Sequence, residues 1–183
     1  ISAATLLGIP QDKALEYASL LRSVRGRFEY VIINDITAIV DYAHTPDALK
    51  NVIETINDIR TGNDSLITVV GCGGDRDSKK RPLMGQISSS LSSKVIFTSD
   101  NPRSESAELI IEQMNLGVSP VDFKKVLSIS SREVAIKTAC QLARPKDIIL
   151  IAGKGHETYQ EVNGKKNHFD DYEIVKNYLT KII

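Results

Sequence analysis

The chain contains no tryptophan and only two cysteines among its 183 residues. With Cys72 and Cys140 alone, neither a disulfide framework nor a cysteine-rich zinc site can be assembled. No apolar run approaches the ~20 residues that span a bilayer. The amino terminus, ISAATLLGIP, lacks both a basic secretory stretch and an initiator methionine, so it reads as a cut inside a longer protein. Net charge is absent as well. Lys and Arg total 23, Asp and Glu total 23, which argues against a whole-surface grip on nucleic acid or membrane while leaving room for a local basic pocket. No repeat of solenoid period and no low-complexity tract occurs. Neither G-x-x-x-x-G-K-[ST] nor G-x-G-x-x-G fits anywhere, so a P-loop cannot be completed from these residues.

What is present reads as one soluble globular domain with some chain to spare: 42% hydrophobic and 25% charged residues. Two short helices are predicted first, over Ile1–Leu7 (closed by Gly8) and from Pro10 through Leu21. Arg25-Gly26-Arg27 reads as a linker and marks a boundary. Phe28–Ile33 and Thr37–Asp41 are strand-like around Asn34-Asp35, a hairpin signal. Thr45-Pro46 opens a helix with Ala48, Leu49, Val52, Ile53 and Ile56 on one face. Strands at Leu66–Val70, Val95–Thr98, Val126–Ile129 and Ile148–Ala152 then alternate with helices at Pro82–Leu91, Glu105–Leu116 and from a Ser130/Glu133 capping box to Ala143. A hairpin around Asn163-Gly164 and a helix capped by Asp170 and Glu173 complete the chain. The central strands are continuous apolar runs, which indicates burial on both faces. The fold class is therefore α/β, a Rossmann-like open, mostly parallel sheet with helices on both faces.

Ligands of such sheets bind beyond the carboxyl ends of the strands, and four loops there hold the chemistry. Asp41-Tyr42-Ala43-His44 precedes a helix amino terminus, a place for a nucleotide; Asp41 as a simple loop cap is the alternative. Gly71–Asp77 has three glycines and Arg76, able to take a carboxylate or phosphate in a fork, or else forms a tight turn with a surface ion pair. Asp100-Asn101-Pro102-Arg103 combines carboxylate, amide and guanidinium in a rigid turn, complementary to a zwitterion such as a free amino acid. Gly153–Thr158 offers Glu157 to an ammonium group, or as a loop cap. Lys79-Lys80-Arg81 reads as a solvated helix start, and Cys140 as core.

Taken in order, Gly26-Arg27-Phe28-Glu29, DYAHTPDAL from Asp41, GCGGDRD with KRPLMG from Gly71, DNPRSE from Asp100 and AGKGHE from Ala152 make the chain resemble the carboxy-terminal domain of the Mur ligases. The likeness covers nearly the whole chain and is thinnest over the opening helices and from Val118 to Ser131. It implies that residues 1–25 end a central ATPase domain and that residues 26–183 form the Rossmann-like, amino-acid-binding domain. It implies an ATP-dependent ligase of peptidoglycan synthesis, cytoplasmic, with ATP and Mg bound mainly by the central domain. The DNPR motif resembles that of the meso-diaminopimelate-adding branch. The implied pocket for that amino acid is Arg76, Asp100, Asn101, Pro102, Arg103, Gly153 and Glu157, with Arg103 and Arg76 on carboxylates and Glu157 on an ammonium group. Arg27, Asp41 and His44 would face ATP. The catalytic groups and the acceptor, UDP-MurNAc-dipeptide, would belong to the preceding domains. No metal ligand, nucleic acid or membrane partner is expected, and these residues alone are expected to be catalytically silent. A dinucleotide-binding oxidoreductase domain and a non-enzymatic amino-acid-binding module are the alternatives.

Overall fold

The structure is a computed structural model and describes residues 2–19 and 24–181. Two short helices come first, α1 (Ser2–Leu6) and α2 (Gln11–Ser19), with Gly8 closing α1 at a φ of 88°. Ile1 and Leu21, both placed in helices by the sequence pattern, lie outside the described residues.

The remaining elements are β1 (Glu29–Ile33), β2 (Ile36–Asp41), α3 (Pro46–Ile59), β3 (Leu66–Val70), α4 (Lys80–Leu91), β4 (Lys94–Phe97), α5 (Ala107–Asn115), β5 (Val126–Ser128), α6 (Arg132–Leu142), β6 (Ile148–Ala152), β7 (Tyr159–Val162), β8 (Lys165–His168) and α7 (Asp171–Lys181). The main sheet has the order β1-β2-β6-β3-β4-β5, and β7-β8 form a separate hairpin. Only β1 runs antiparallel, paired with β2 through Asn34 and Asp35, whose φ values of 53° and 61° make the tight turn that right-twisted strands favour.

Every residue of β3 and β6 is buried, as continuous apolar runs require. Alternate side chains feed two cores. One joins Ile39, Leu150, Val70 and Phe97 to Leu49, Val52, Ile53 and Ile56 of α3, Met84 of α4, and Ile110, Ile111 and Met114 of α5. The other joins Val40, Ile151, Val69 and Ile96 to Ala135, Ile136, Ala139 and Cys140 of α6 and Val175 and Leu179 of α7. Helices therefore cover both faces, and Cys140 is a core residue.

Several local details depart from the sequence pattern. The α6 cap is Ser131, whose Oγ accepts from Val134 N; Ser130 is held to the sheet, its carbonyl accepting from Ser99 N at 3.2 Å. Glu105 lies outside α5, which Ser106 caps. Arg25-Gly26-Arg27 is a packed turn rather than a linker. Gly26 is buried against the His156 backbone, and Arg25 pairs with Asp170. No helix of the described residues is long and apolar enough to cross a membrane.

One buried ion pair ties the second core to the site edge. Arg132 and Asp171 are both fully buried and meet as a fork, Nε to Oδ1 at 2.8 Å and Nη2 to Oδ2 at 2.7 Å. The guanidinium also donates to the Ala152 carbonyl at 3.1 Å and the Ser99 carbonyl at 3.5 Å, so it fastens α6 and α7 to the ends of two strands. Breaking one side leaves a charge in a dry interior. Asp171→Ala is expected to lower stability by about 3–5 kcal/mol, and Arg132→Met in the same chain to recover a large part of that loss, measured by urea denaturation.

Candidate functional site

Register builds the site. Asp41 pairs with Ala152, Ala152 with Val70, and Val70 with Phe97. Four parallel strands thus end at one level, and the four polar loops leave side by side. They enclose a cleft of about 570 Å³ lined by Arg76, Asp100, Asn101, Arg103, Gly153, Glu157 and His44, together with Tyr42, Cys72, Asp77, Lys80 and Tyr159, among others. Pro102, Arg27 and Asp41 do not line it.

Asn101 is the hub. It is 3% exposed. Its Oδ1 accepts from Lys154 Nζ at 3.0 Å and from Glu161 N at 2.9 Å, while its Nδ2 donates to Glu157 Oε2 at 2.8 Å. Its carbonyl accepts from Gly74 N at 2.9 Å. The β7-β8 hairpin braces the same turn. Arg103 N donates to Glu161 O at 3.1 Å, and Asn163 N to Arg103 O at 2.7 Å. Those bonds hold Arg103 at a φ of 53°, a left-handed conformation costly for a non-glycine residue. Its guanidinium is aimed by the Gly74 carbonyl at 2.7 Å and by Glu161, 3.7 Å from Nε. Arg76 is exposed and donates to the carbonyl of Asp75 at 3.0 Å.

Pro102 acts through its backbone: its carbonyl accepts from Glu105 N at 3.0 Å and abuts Gly74. Asp41 is a local organiser, accepting from Phe28 N at 2.8 Å and Ala43 N at 2.9 Å. Arg27 stands 4.6 Å over the Tyr42 ring, which also meets His44 at 4.5 Å and His156 at 5.3 Å. The glycine loop does not form a phosphate cradle. Gly74 N goes to Asn101 and Asp75 N to Glu105 Oε1 at 2.5 Å, so these amides are spent on the neighbouring turn and the dinucleotide alternative loses its main feature.

Burial raises the Asp100 carboxyl above its ordinary range, with Arg132 and Lys154 opposing. Burial also pushes the Cys72 thiol up to about 12, so it is a wall and not a nucleophile.

Two charged residues were misjudged or passed over by sequence reasoning. Arg81 is 1% exposed, not a solvated helix start. It forks onto Glu105 with bonds of 2.8 Å and reaches Gln113 at 2.7 Å and the Gly73 carbonyl at 3.2 Å, binding the glycine loop to the Asp100–Arg103 turn. The signal was its spacing: Arg81, Met84, Gly85 and Ser88 share the buried face of α4. Lys154 is fully buried under the cleft. Its signal was a long cation between two glycines in a loop otherwise built to turn.

Fold and site together define an open, doubly wound α/β domain with a charged cleft where the strands end. Residues 26–155 match the family model described as Mur ligase, glutamate ligase domain, and the chain belongs to that family. It is 54% identical over 179 residues to the UDP-N-acetylmuramoyl-L-alanyl-D-glutamate–2,6-diaminopimelate ligase of Cytophaga hutchinsonii, covering 97% of this chain and 37% of the relative. It is 53% identical over 176 residues to the ligase of the same name from Phocaeicola vulgatus, covering 96% and 36%. A solved structure of a ligase of that name superimposes with a TM-score of 0.80 at 39% identity, covering 97% of this chain and 36% of that one. The chain thus spans little more than a third of the length of these relatives.

The Arg81 fork, followed by the Asp75 amide, pulls the Glu105 carboxyl from 4.5 down to about 2. A depressed carboxyl stabilises the fold above its unfolded value, and that contribution is lost as pH falls through the folded value. Glu105→Gln is therefore expected to unfold at lower urea than wild type above pH 4.5. The gap between their midpoints should close steadily as the pH is taken down to about 2.

Proposed function

We propose that this domain supplies the meso-diaminopimelate pocket and part of the ATP site of an ATP-dependent amide ligase of peptidoglycan synthesis. The observation that carries it is the joining, through Asn101, of a cation arm and an anion arm in one cleft. Arg103, with Arg76 beside it, faces carboxylates, and Glu157 faces an ammonium group. Diaminopimelate exceeds lysine by one carboxylate, and Arg103 is the counter-charge for it. The names of relatives more than half identical to this chain point to the same amino acid.

The acceptor is UDP-MurNAc-L-Ala-D-Glu. Its terminal carboxylate takes the γ-phosphoryl group of ATP, with the bond to the β-phosphate oxygen breaking and ADP leaving. The diaminopimelate amine attacks the resulting acyl phosphate, the carbon–oxygen bond to phosphate breaks as the amide forms, and the amine gives up a proton. Holding the far end of the amino acid is this domain's part, which converts an encounter into an oriented attack.

Arg27 and His44 flank Tyr42 as an exposed surface for the nucleotide, and Asp41 orders that surface by gripping Phe28 N and Ala43 N. In this reading magnesium, with the phosphates of ATP, is held mainly by the central domain. In the same proposal residues 1–25 end a central ATPase domain, and the enzyme is cytoplasmic.

The full-length enzyme is expected to use meso-diaminopimelate in clear preference to L-lysine in a steady-state amide-ligation assay. Arg103→Ala should lower kcat/KM for diaminopimelate roughly 10- to 100-fold and leave that for lysine little changed, as loss of a charge-assisted fork predicts. Equal use of the two amino acids by wild type would refute the assignment.

A further inference from the structure

We infer that Lys154 is a positioning residue of the amino-acid pocket. Its buried ammonium locks the Asn101 carboxamide in one orientation and occupies one oxygen of Glu157, so that the other, Oε1, is presented to the ligand's ammonium group. The inference rests on the function proposed above.

A lysine with no solvent exposure is costly unless its charge is compensated. Nζ lies 3.0 Å from Asn101 Oδ1, 3.3 Å from Glu157 Oε2 and 4.0 Å from Asp100 Oδ1. The backbone drives the side chain inward. Gly153 and Gly155 have φ values of 115° and 52°, and a Cβ at Gly153 would stand 2.7 Å from Asp100 Oδ2.

A carboxamide presents two ends of equal size, and only its partners decide which faces where. Lysine ammonium and backbone N–H are donors without acceptor capacity. Both Nζ and Glu161 N meet the same end of Asn101, so that end is the oxygen and Nδ2 must face Glu157. Glu157 Oε2 then takes two donors, Asn101 Nδ2 and Lys154 Nζ. Its Oε1 accepts no hydrogen bond among the described residues.

Charge follows the same pattern. Arg132 is matched by Asp171 and also faces Asp100. Lys154 lies between Asp100 and Glu157, and a ligand ammonium at Glu157 Oε1 completes the set. Among the described residues the side-chain partners of Lys154 are Asn101, Glu157, Asp100 and the Tyr159 ring, not the Tyr42–Arg27 surface proposed for the nucleotide.

Lys154→Gln tests this in the full-length ligase, since a neutral amide tolerates burial and keeps a donor. The KM for meso-diaminopimelate is expected to rise roughly 10- to 100-fold, with the KM for ATP within about twofold of wild type. In an Asn101→Ala background the same change should add clearly less than it does alone, because part of the lysine's action runs through that side chain and the rest directly on Glu157. A diaminopimelate KM that is unchanged or lowered, or effects that multiply independently of Asn101, would overturn the assignment. If Lys154→Gln does not fold, Lys154→Arg decides. The wider guanidinium cannot reproduce the Nζ contacts, so a raised diaminopimelate KM with an unmoved ATP KM supports the role, and wild-type kinetics overturn it. Absence of diaminopimelate turnover by wild type would instead overturn the proposed function, and the Lys154 role with it.

Discussion

The hydrogen-bond register of four parallel strands sets Asp41, Ala152, Val70 and Phe97 side by side, and every polar feature of the cleft follows from that level edge. Parallel strands buried on both faces have little freedom to slip, because a one-residue shift would send each apolar side chain to the opposite core. The edge is therefore held by the whole interior, and loops distant in sequence leave it at fixed spacing. Asn101 can meet Lys154 and Glu157 across 53 and 56 residues of chain only because β4 and β6 end at the same height.

On that edge the molecule uses buried charge as a fastener. Arg132 with Asp171, Arg81 with Glu105, and Lys154 with Asn101 and Glu157 each cross between elements, and each cation is almost wholly buried. Such pairs add little net stability over apolar replacements, but an unpaired member is heavily penalised, so alternative loop arrangements are disfavoured. The zwitterionic ligand proposed above would need this kind of rigidity. Its charges are fixed a few ångströms apart, and a receptor whose counter-charges wander forfeits affinity to ordering entropy. The β7-β8 hairpin serves the same end, holding Arg103 in a left-handed conformation it would otherwise leave.

Much of this was legible in the chain. Apolar runs at Leu66–Val70 and Ile148–Ala152 announced strands covered on both sides, Asn34-Asp35 and Asn163-Gly164 announced the two hairpins, and the four loops announced the cleft. Glu157 and Arg103 were legible as charged groups in glycine- or proline-bounded turns, and the resemblance of the AGKGHE and DNPR motifs singled them out over a loop cap or a solvated turn. The roles of Arg81 and Lys154 were not apparent. Charged residues are read as solvated by default, and only a packed neighbour, here Glu105 or Asn101, can make burying them tolerable. Arg25-Gly26-Arg27 looked like a linker for a similar reason: its packing against His156 and Asp170 bridges 130 or more residues, beyond the reach of local pattern.

The sequence by itself determined the alternation of strands and helices, the two-sided core and the kinds of chemical group at the strand ends, because these depend on local periodicity and residue type. Tertiary structure alone decided which groups meet. Strand order, with β6 inserted between β2 and β3, brings the Lys154 loop beneath the Asp100–Arg103 turn. The physical reason is that sheet order is chosen by the packing of whole faces, and a buried charge finds its partner only after that choice is made.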